Sequence, residues 1–191
     1  MKLKNIFLGY LLLILCLSAT SQTIDNPFMI TINTFDEKGL ENNDTVYDNN
    51  GTKYVVVKTS IEIGLETNID GEWKKHGRYF RLTSNKPSLE TDYIAGRKNG
   101  LESAFYPNGE IKSQYWYADD QKNGDFSLYC QINGQVERKG SYLNNKLHGK
   151  HTRYYENGNK KEEKTYDNGK IVGTVNQYNN DGELMYSNSY D

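Results

Sequence analysis

Five glycines set the frame of this chain. Gly77, Gly100, Gly124, Gly149 and Gly173 follow one another at steps of 23, 24, 25 and 24 residues. A second ladder, Gly109, Gly134, Gly158 and Gly182, runs beside it at steps of 25, 24 and 24. Rings keep the same beat. Phe105, Tyr129, Tyr154 and Tyr178 lie five residues after the first-ladder glycines, and Tyr117, Tyr142, Tyr166 and Tyr190 lie eight after the second. Tyr93 extends that last rank back by one period. A fixed period of this length marks a repeat architecture, in which one small unit buries its apolar side only by stacking on the next.

The unit reads as a β-hairpin. Turn residues recur roughly every 10–15 positions, which leaves no room for a sustained helical period. Tight hairpin turns need positive φ, which glycine adopts at little cost, so both ladders are expected at turns. The slot before the first ladder holds His76, Asn99, Asn123, His148 and Val172. The two histidines there are expected to fill an asparagine-like turn position. Return strands alternate, with Ile111, Ser113, Tyr115 and Tyr117 on one side and Lys112, Gln114 and Trp116 on the other. Which outgoing residues join each side depends on register, since a slip of one residue reverses every side chain. One extra residue between Gly124 and Gly134 predicts a bulge or wider turn in that repeat. A single hairpin is barely stable in water. The repeats must therefore pair edge to edge, leaving the final strand, from Leu184 to Tyr190, as an open edge that can self-associate.

Residues 22–70 lack the clear period. Met29-Ile30-Thr31-Ile32-Asn33 alternates and reads as a strand. Thr45–Tyr47 and Thr52–Lys58 read as a hairpin around Asp48-Asn49-Asn50-Gly51, and Ile61 and Ile63 open another strand. The segment is expected to be a small β unit or an eroded cap, because the end of a stack must be covered. Ahead of it, Lys2 and Lys4, an apolar run from Ile6 to Leu17 and the small residues Ser18-Ala19-Thr20-Ser21 have the layout of a secretory signal peptide. The run is too short for a stable transmembrane helix. Cys16 could mark a lipoprotein, but Leu15 stands before it where a small residue is usual. The expected organisation is therefore a signal peptide over 1–21, an N-terminal β segment over 22–70 and hairpin repeats over 71–191, in an exported protein.

Charge argues against nucleic acid as partner. Without the leader the chain carries 21 basic and 25 acidic residues, whereas nucleic-acid binders show a basic excess. The distribution is uneven, with a net of −7 from Gln22 to Glu72 and +3 from Lys146 to Lys170, a gradient that can orient a partner. Cys130 is the one cysteine outside the leader, which excludes an internal disulfide in the exported form, and it is expected to be buried. Tyrosine, with 16 copies against 2 Trp and 6 Phe, suits a thin structure whose rings pack while their hydroxyls stay wet.

No constellation for catalysis, cofactor or metal stands out. His148 and His151, three apart on a strand, are expected on opposite faces, and with His76 they match no metal-ligand spacing. Glu102, Glu110, Glu156, Glu162 and Glu163 could supply the carboxylates of a glycan hydrolase, but none holds a fixed repeat slot. Glu162 and Glu163 beside Lys160, Lys161 and Lys164 read as a solvated strand with weak ion pairs. The aromatic ladder carries the binding expectation. Trp73, Phe105, Tyr115, Trp116, Tyr117, Tyr129, Tyr142, Tyr154, Tyr166, Tyr178 and Tyr190 are candidates to brace the sheet or to bind a partner. Trp73 and Trp116 are the expected exposed members.

The pattern Gly-x4-(Tyr/Phe)-x3-4-Gly-x7-Tyr, with Tyr155-Glu156-Asn157-Gly158-Asn159-Lys160 and Tyr166-Asp167-Asn168-Gly169-Lys170-Ile171-Val172-Gly173 as its clearest fragments, resembles the MORN-repeat family. More closely it resembles the bacterial variant, the YwqK-type repeat often labelled a toxin–antitoxin antitoxin. The resemblance covers residues 71–191. It implies an all-β fold, an elongated antiparallel meander of stacked β-hairpin repeats of about 24 residues each, preceded here by the small N-terminal β segment. It implies a binding or scaffolding module and supplies no catalytic residues. With the leader, the expected function is an exported, non-enzymatic scaffold for a protein or cell-envelope partner. An antitoxin or immunity partner of a toxin is the alternative, and an envelope glycan hydrolase a lesser one.

Overall fold

Two-residue turns fix the hairpins. Ser84-Asn85, Ala95-Gly96, Asp119-Asp120, Asn144-Asn145 and Asn168-Gly169 all have positive φ at both central positions. That is the type I′ geometry whose twist matches the flanking strands, and Asn, Asp and Gly tolerate it best.

The structure is a computed structural model and describes residues 22–24, 26–30, 32–59 and 61–191. The leader read over 1–21, including Cys16, lies outside the described residues, as does Thr31. Among the described residues no helix is long and apolar enough to cross a membrane. Strand β1 (Gln22–Ile24) pairs in parallel with β2 (Thr45–Asp48), which pairs antiparallel with β3 (Lys53–Lys58). Next comes β4 (Glu62–Ile69), one side of which is shared by β5 (Glu72–Lys75) and β6 (Gly77–Thr83). From there each strand pairs antiparallel with its successor: β7 (Lys86–Ile94), β8 (Arg97–Phe105), β9 (Ile111–Ala118), β10 (Gln121–Tyr129), β11 (Val136–Leu143), β12 (Lys146–Tyr154), β13 (Lys160–Asp167), β14 (Lys170–Tyr178) and β15 (Leu184–Tyr190). The result is one fifteen-stranded sheet, an antiparallel meander from β6 onward as the hairpin repeats require. All of β15 is exposed.

The N-terminal segment departs from expectation in one place. Instead of a strand over Met29–Asn33, the chain makes a 3-10 turn at Pro27–Met29 and then helix α1 (Ile32–Glu37). Asn26 caps the turn by accepting from the Phe28 N–H at 2.8 Å, and Pro27 presets φ for the first helical position. Of the residues that suggested alternation, Ile30 serves a core instead and Met29 is exposed. Ile30, Phe35 and Leu40 pack with Val46, Tyr54, Val56, Ile63, Leu65 and Phe80 over one face of the sheet. The hairpin of β2 and β3 and the strand after Ile61 match the sequence reading.

The two glycine ladders do different jobs. Gly109, Gly134, Gly158 and Gly182 sit in the wide loops at positive φ, and each N–H closes its loop onto a carbonyl three residues back or, for Gly134, four, at 2.8–3.0 Å. The acceptors are Tyr106, Tyr155 and Asn179 for Gly109, Gly158 and Gly182, and Cys130 for Gly134. The predicted wider turn is this one, where the Cys130 N–H reaches the Gln135 carbonyl at 2.8 Å. The first ladder does not make turns. Gly100, Gly124, Gly149 and Gly173 lie inside β8, β10, β12 and β14, and Gly77 opens β6. Their φ values, from 66° to 121°, create bulges. In β10, Asn123, Gly124 and Asp125 stand opposite Trp116 alone, between the pairs Lys122–Tyr117 and Phe126–Tyr115. A Cβ on Gly124 would come 3.0 Å from that of Trp116. His76 and His148 therefore fill no turn slot, and neither has positive φ.

Candidate functional site

The bulges organise what I′ turns alone would not. Each first-ladder glycine pairs across to a tyrosine of the next strand: Gly77 to Tyr93, Gly100 to Tyr117, Gly124 to Tyr142, Gly149 to Tyr166 and Gly173 to Tyr190. Two residues beyond each glycine stands a well-protected side chain: Tyr79, Glu102, Phe126, His151 or Val175. These two ranks form the tyrosine face. Tyr115 stacks on Phe126 at 5.6 Å and 14°, Phe126 meets Tyr142 at 5.2 Å and His151 at 5.3 Å, and His151 meets Tyr166 edge-on at 4.7 Å. Phe126 is 4% exposed although the sheet is a single layer there. Gly140 makes this possible, because His151 lies over it, with ring atoms 2.6 Å from where a Cβ would be.

Cations and carboxylates complete that face toward the N-terminus. Lys75 Nζ lies 4.1 Å from the Tyr79 ring centre, Lys98 4.8 Å from that of Tyr117 and Lys122 3.8 Å from that of Tyr115. Glu102 accepts from Thr91 Oγ1 at 3.1 Å and Tyr117 Oη at 3.2 Å, and pairs with Lys98 Nζ. Burial pushes the Tyr117 hydroxyl above its ordinary pKa, and Glu102 adds to the shift, so Tyr117 stays a donor. His151 bonds the Ser141 carbonyl through Nε2 at 3.0 Å, and burial lowers its pKa. His148, with a half-exposed ring, has Nδ1 3.5 Å from Asp167 Oδ1. Among the described residues no three metal-ligating side chains gather.

The opposite face carries the rank five residues after the first ladder. Tyr129 Oη donates to Gln114 at 2.9 Å and Tyr178 Oη to Glu163 at 3.1 Å. Phe105 lines a 520 Å³ cleft with Phe80, Pro87, Tyr106 and Arg78 where the α1 layer ends. Glu163 corrects the reading of a solvated pair. It is 9% exposed and bonded by Lys150 at 2.7 Å and Lys160 at 2.9 Å. Cys130 corrects another, being half-buried at a loop and not in a core. Beyond α1 no described element covers this face. Trp116 is 49% and Trp73 46% exposed, as expected, and Tyr190 lies on the open strand.

The two ends of each strand pair are stitched to the next repeat. Asp120 Oδ1 accepts from the Lys98 N–H and Asn145 Oδ1 from the Lys122 N–H, both at 2.8 Å. At the other end Tyr106 Oη donates to the Tyr129 carbonyl at 2.7 Å, and Tyr155 Oη to that of Tyr178 at 2.8 Å. These bonds span 22 or 23 residues and hold the period.

Comparison with known proteins fits this unit. No curated protein matches the chain. A crystal structure of an S. aureus TarM mutant with Fondaparinux, alpha-GlcNAc-glycerol and UDP is similar over 68% of this chain and 24% of its own, at 13% identity and TM-score 0.33. A second TarM crystal structure is similar over 62% of this chain and 20% of its own, at 11% identity and TM-score 0.29. The similarity spans no more than about a quarter of TarM, and such TM-scores bear on neither fold nor function. The family model described as the MORN repeat variant matches residues 98–119 and 147–168. Each match takes in one wide-loop hairpin, β8–β9 or β12–β13, and ends at a I′ turn. The chain thus carries MORN-variant repeats, folded as the antiparallel hairpin meander that the resemblance implied.

Proposed function

We propose that this protein is an exported, non-catalytic scaffold that holds a protein or cell-envelope partner on the uncovered face of its repeats. The observation that carries the reading is the half-exposed Trp116, set by the Gly124 bulge on a face that no described layer covers. Large rings left in water on an open sheet face are the chemistry of an interface and serve no interior. Repeated strands add area without new design, which suits a platform better than a reaction centre. Export rests on the leader layout alone.

The test is capture by tagged protein from the envelope fraction, compared with Trp116→Ala. Specific capture that falls on substitution is the expected result. Capture of nothing specific, with no change on substitution, ends the proposal. Mass spectrometry of the native chain should find Gln22 as its first residue, and an intact Met1 would remove export from the reading.

A further inference from the structure

Two arginines on the tyrosine face stand where a sheet designed only for stability would not put them. Arg138 in β11 and Arg153 in β12 are register partners. Like charges directly opposite each other destabilise a strand pair. The carboxylate next in line, Glu162 opposite Arg153 in β13, makes its ion pair with Lys164, at 3.0 Å, and with neither arginine. Among the described residues neither guanidinium forms an ion pair. Violations of a local rule of this kind gather at functional positions.

The surroundings narrow the ligand. The arginines line a 230 Å³ cavity together with the Glu162–Lys164 ion pair, and its walls include Phe126, Leu128, Leu147 and Tyr166. This space is smaller than the roughly 300–1,000 Å³ of drug-sized sites. It suits one or two side chains of an extended segment. A guanidinium fork matches a carboxylate bidentately, and two forks opposed across a strand pair offer more donors than one carboxylate can use. The aliphatic and aromatic walls offer burial to an apolar neighbour. Two free cations are too few for a polyanion, which is held by a long stripe of them.

We infer that the Arg138–Arg153 cleft receives an acidic side chain, next to an apolar or aromatic one, from a peptide segment of the protein partner. The assignment rests on the scaffold reading and adds to it the chemistry of a partner segment and a second docking place, on the face opposite Trp116.

Fluorescence anisotropy on the purified exported chain tests it. The probe is a fluorescein-labelled peptide of alternating glutamate and phenylalanine, and the control replaces glutamate by lysine. The glutamate peptide should bind saturably and the lysine peptide should not. Arg138→Gln and Arg153→Gln should each weaken binding about tenfold, the scale of one charge-assisted contact. Arg153→Lys, which keeps the charge but not the fork, should lose part of it. Melting temperatures of the Gln variants should be unchanged or raised, because a repulsion is removed, so lost binding is not lost folding. Failure of the glutamate peptide to bind, or equal binding by the double Gln variant, overturns the inference. So does binding of phosphatidylglycerol vesicles or inorganic phosphate through the same arginines without peptide binding, which would make this a phosphate site. Capture that depends on Trp116 but ignores both arginines would leave the scaffold reading standing and remove this one.

Discussion

Replacing Phe126 with alanine tests which rank of rings holds the sheet together. Phe126 stands two residues after a ladder glycine, is 4% exposed, and touches Tyr115, Tyr142 and His151. Withdrawing a phenylalanine ring from water is worth about 2–3 kcal/mol. Its contacts with Tyr115 and Tyr142 add about 0.5–1 kcal/mol each. The row is one layer thick, so its neighbours can close part of the gap, and about 3 kcal/mol is the expected loss. Phe105 provides the matched control. It has the same side chain but belongs to the rank five residues after the ladder, half-buried at the edge of a cleft. Phe105→Ala should cost about 1 kcal/mol. Urea midpoints followed by circular dichroism give both numbers, provided the m-value is shared. Equal losses, or a larger one for Phe105→Ala, would refute the reasoning and move the packing spine to the other face.

Gly140→Ala should cost about 1–3 kcal/mol, because its Cβ would fall 2.6 Å from the His151 ring. In a His151→Ala background the same change should cost little, and a cost that persists would show the strain lies elsewhere. Burial pushes the Glu163 carboxyl up, but hydrogen bonds from Lys150, Lys160 and Tyr178 outweigh it and hold the pKa at about 2, against 4.5 when unfolded. Its contribution is therefore complete above pH 4.5 and is lost as pH falls toward 2. The lysines are largely exposed, so about 1 kcal/mol is expected at neutral pH. Stability of Glu163→Gln should trail the wild type at pH 7 and converge with it in acid, and a gap that ignores pH would contradict the assignment. Burial lowers the pKa of His151 below its ordinary 6.5, so the stability it secures is present above that pH and declines below it. His151→Phe should flatten the decline in melting temperature below pH 6.5, and an unchanged slope would mean another group titrates there.

The period, the strands and the wide loops were legible because glycine and tyrosine recur at fixed slots. The protected rank two residues after the first ladder was not. Tyr79, Glu102, Phe126, His151 and Val175 share a position but no residue type, so nothing repeats there to reveal them. Their signal was positional, and reading it needed the true hairpin turns. Those were available in Asp119-Asp120, Asn144-Asn145 and Asn168-Gly169, which can take positive φ at two successive residues. The first-ladder glycines drew attention away from them by needing positive φ too, for bulges. Met29–Asn33 misled for a different reason. Ile30 meets the core from an irregular segment while Met29 faces water, and the Asn26-Pro27 start was the stronger local cue. The Arg138–Arg153 cleft depends on strand register, which no motif announces.

Because almost every strand from β2 onward lies beside the one made just before it, load applied along the chain meets the hydrogen bonds in peeling geometry. They open one after another instead of sharing the force. A molecule pulled by its ends should lengthen in small, similar steps, roughly 80 Å for each 24-residue unit fully drawn out. The last to yield should be the packed block under α1.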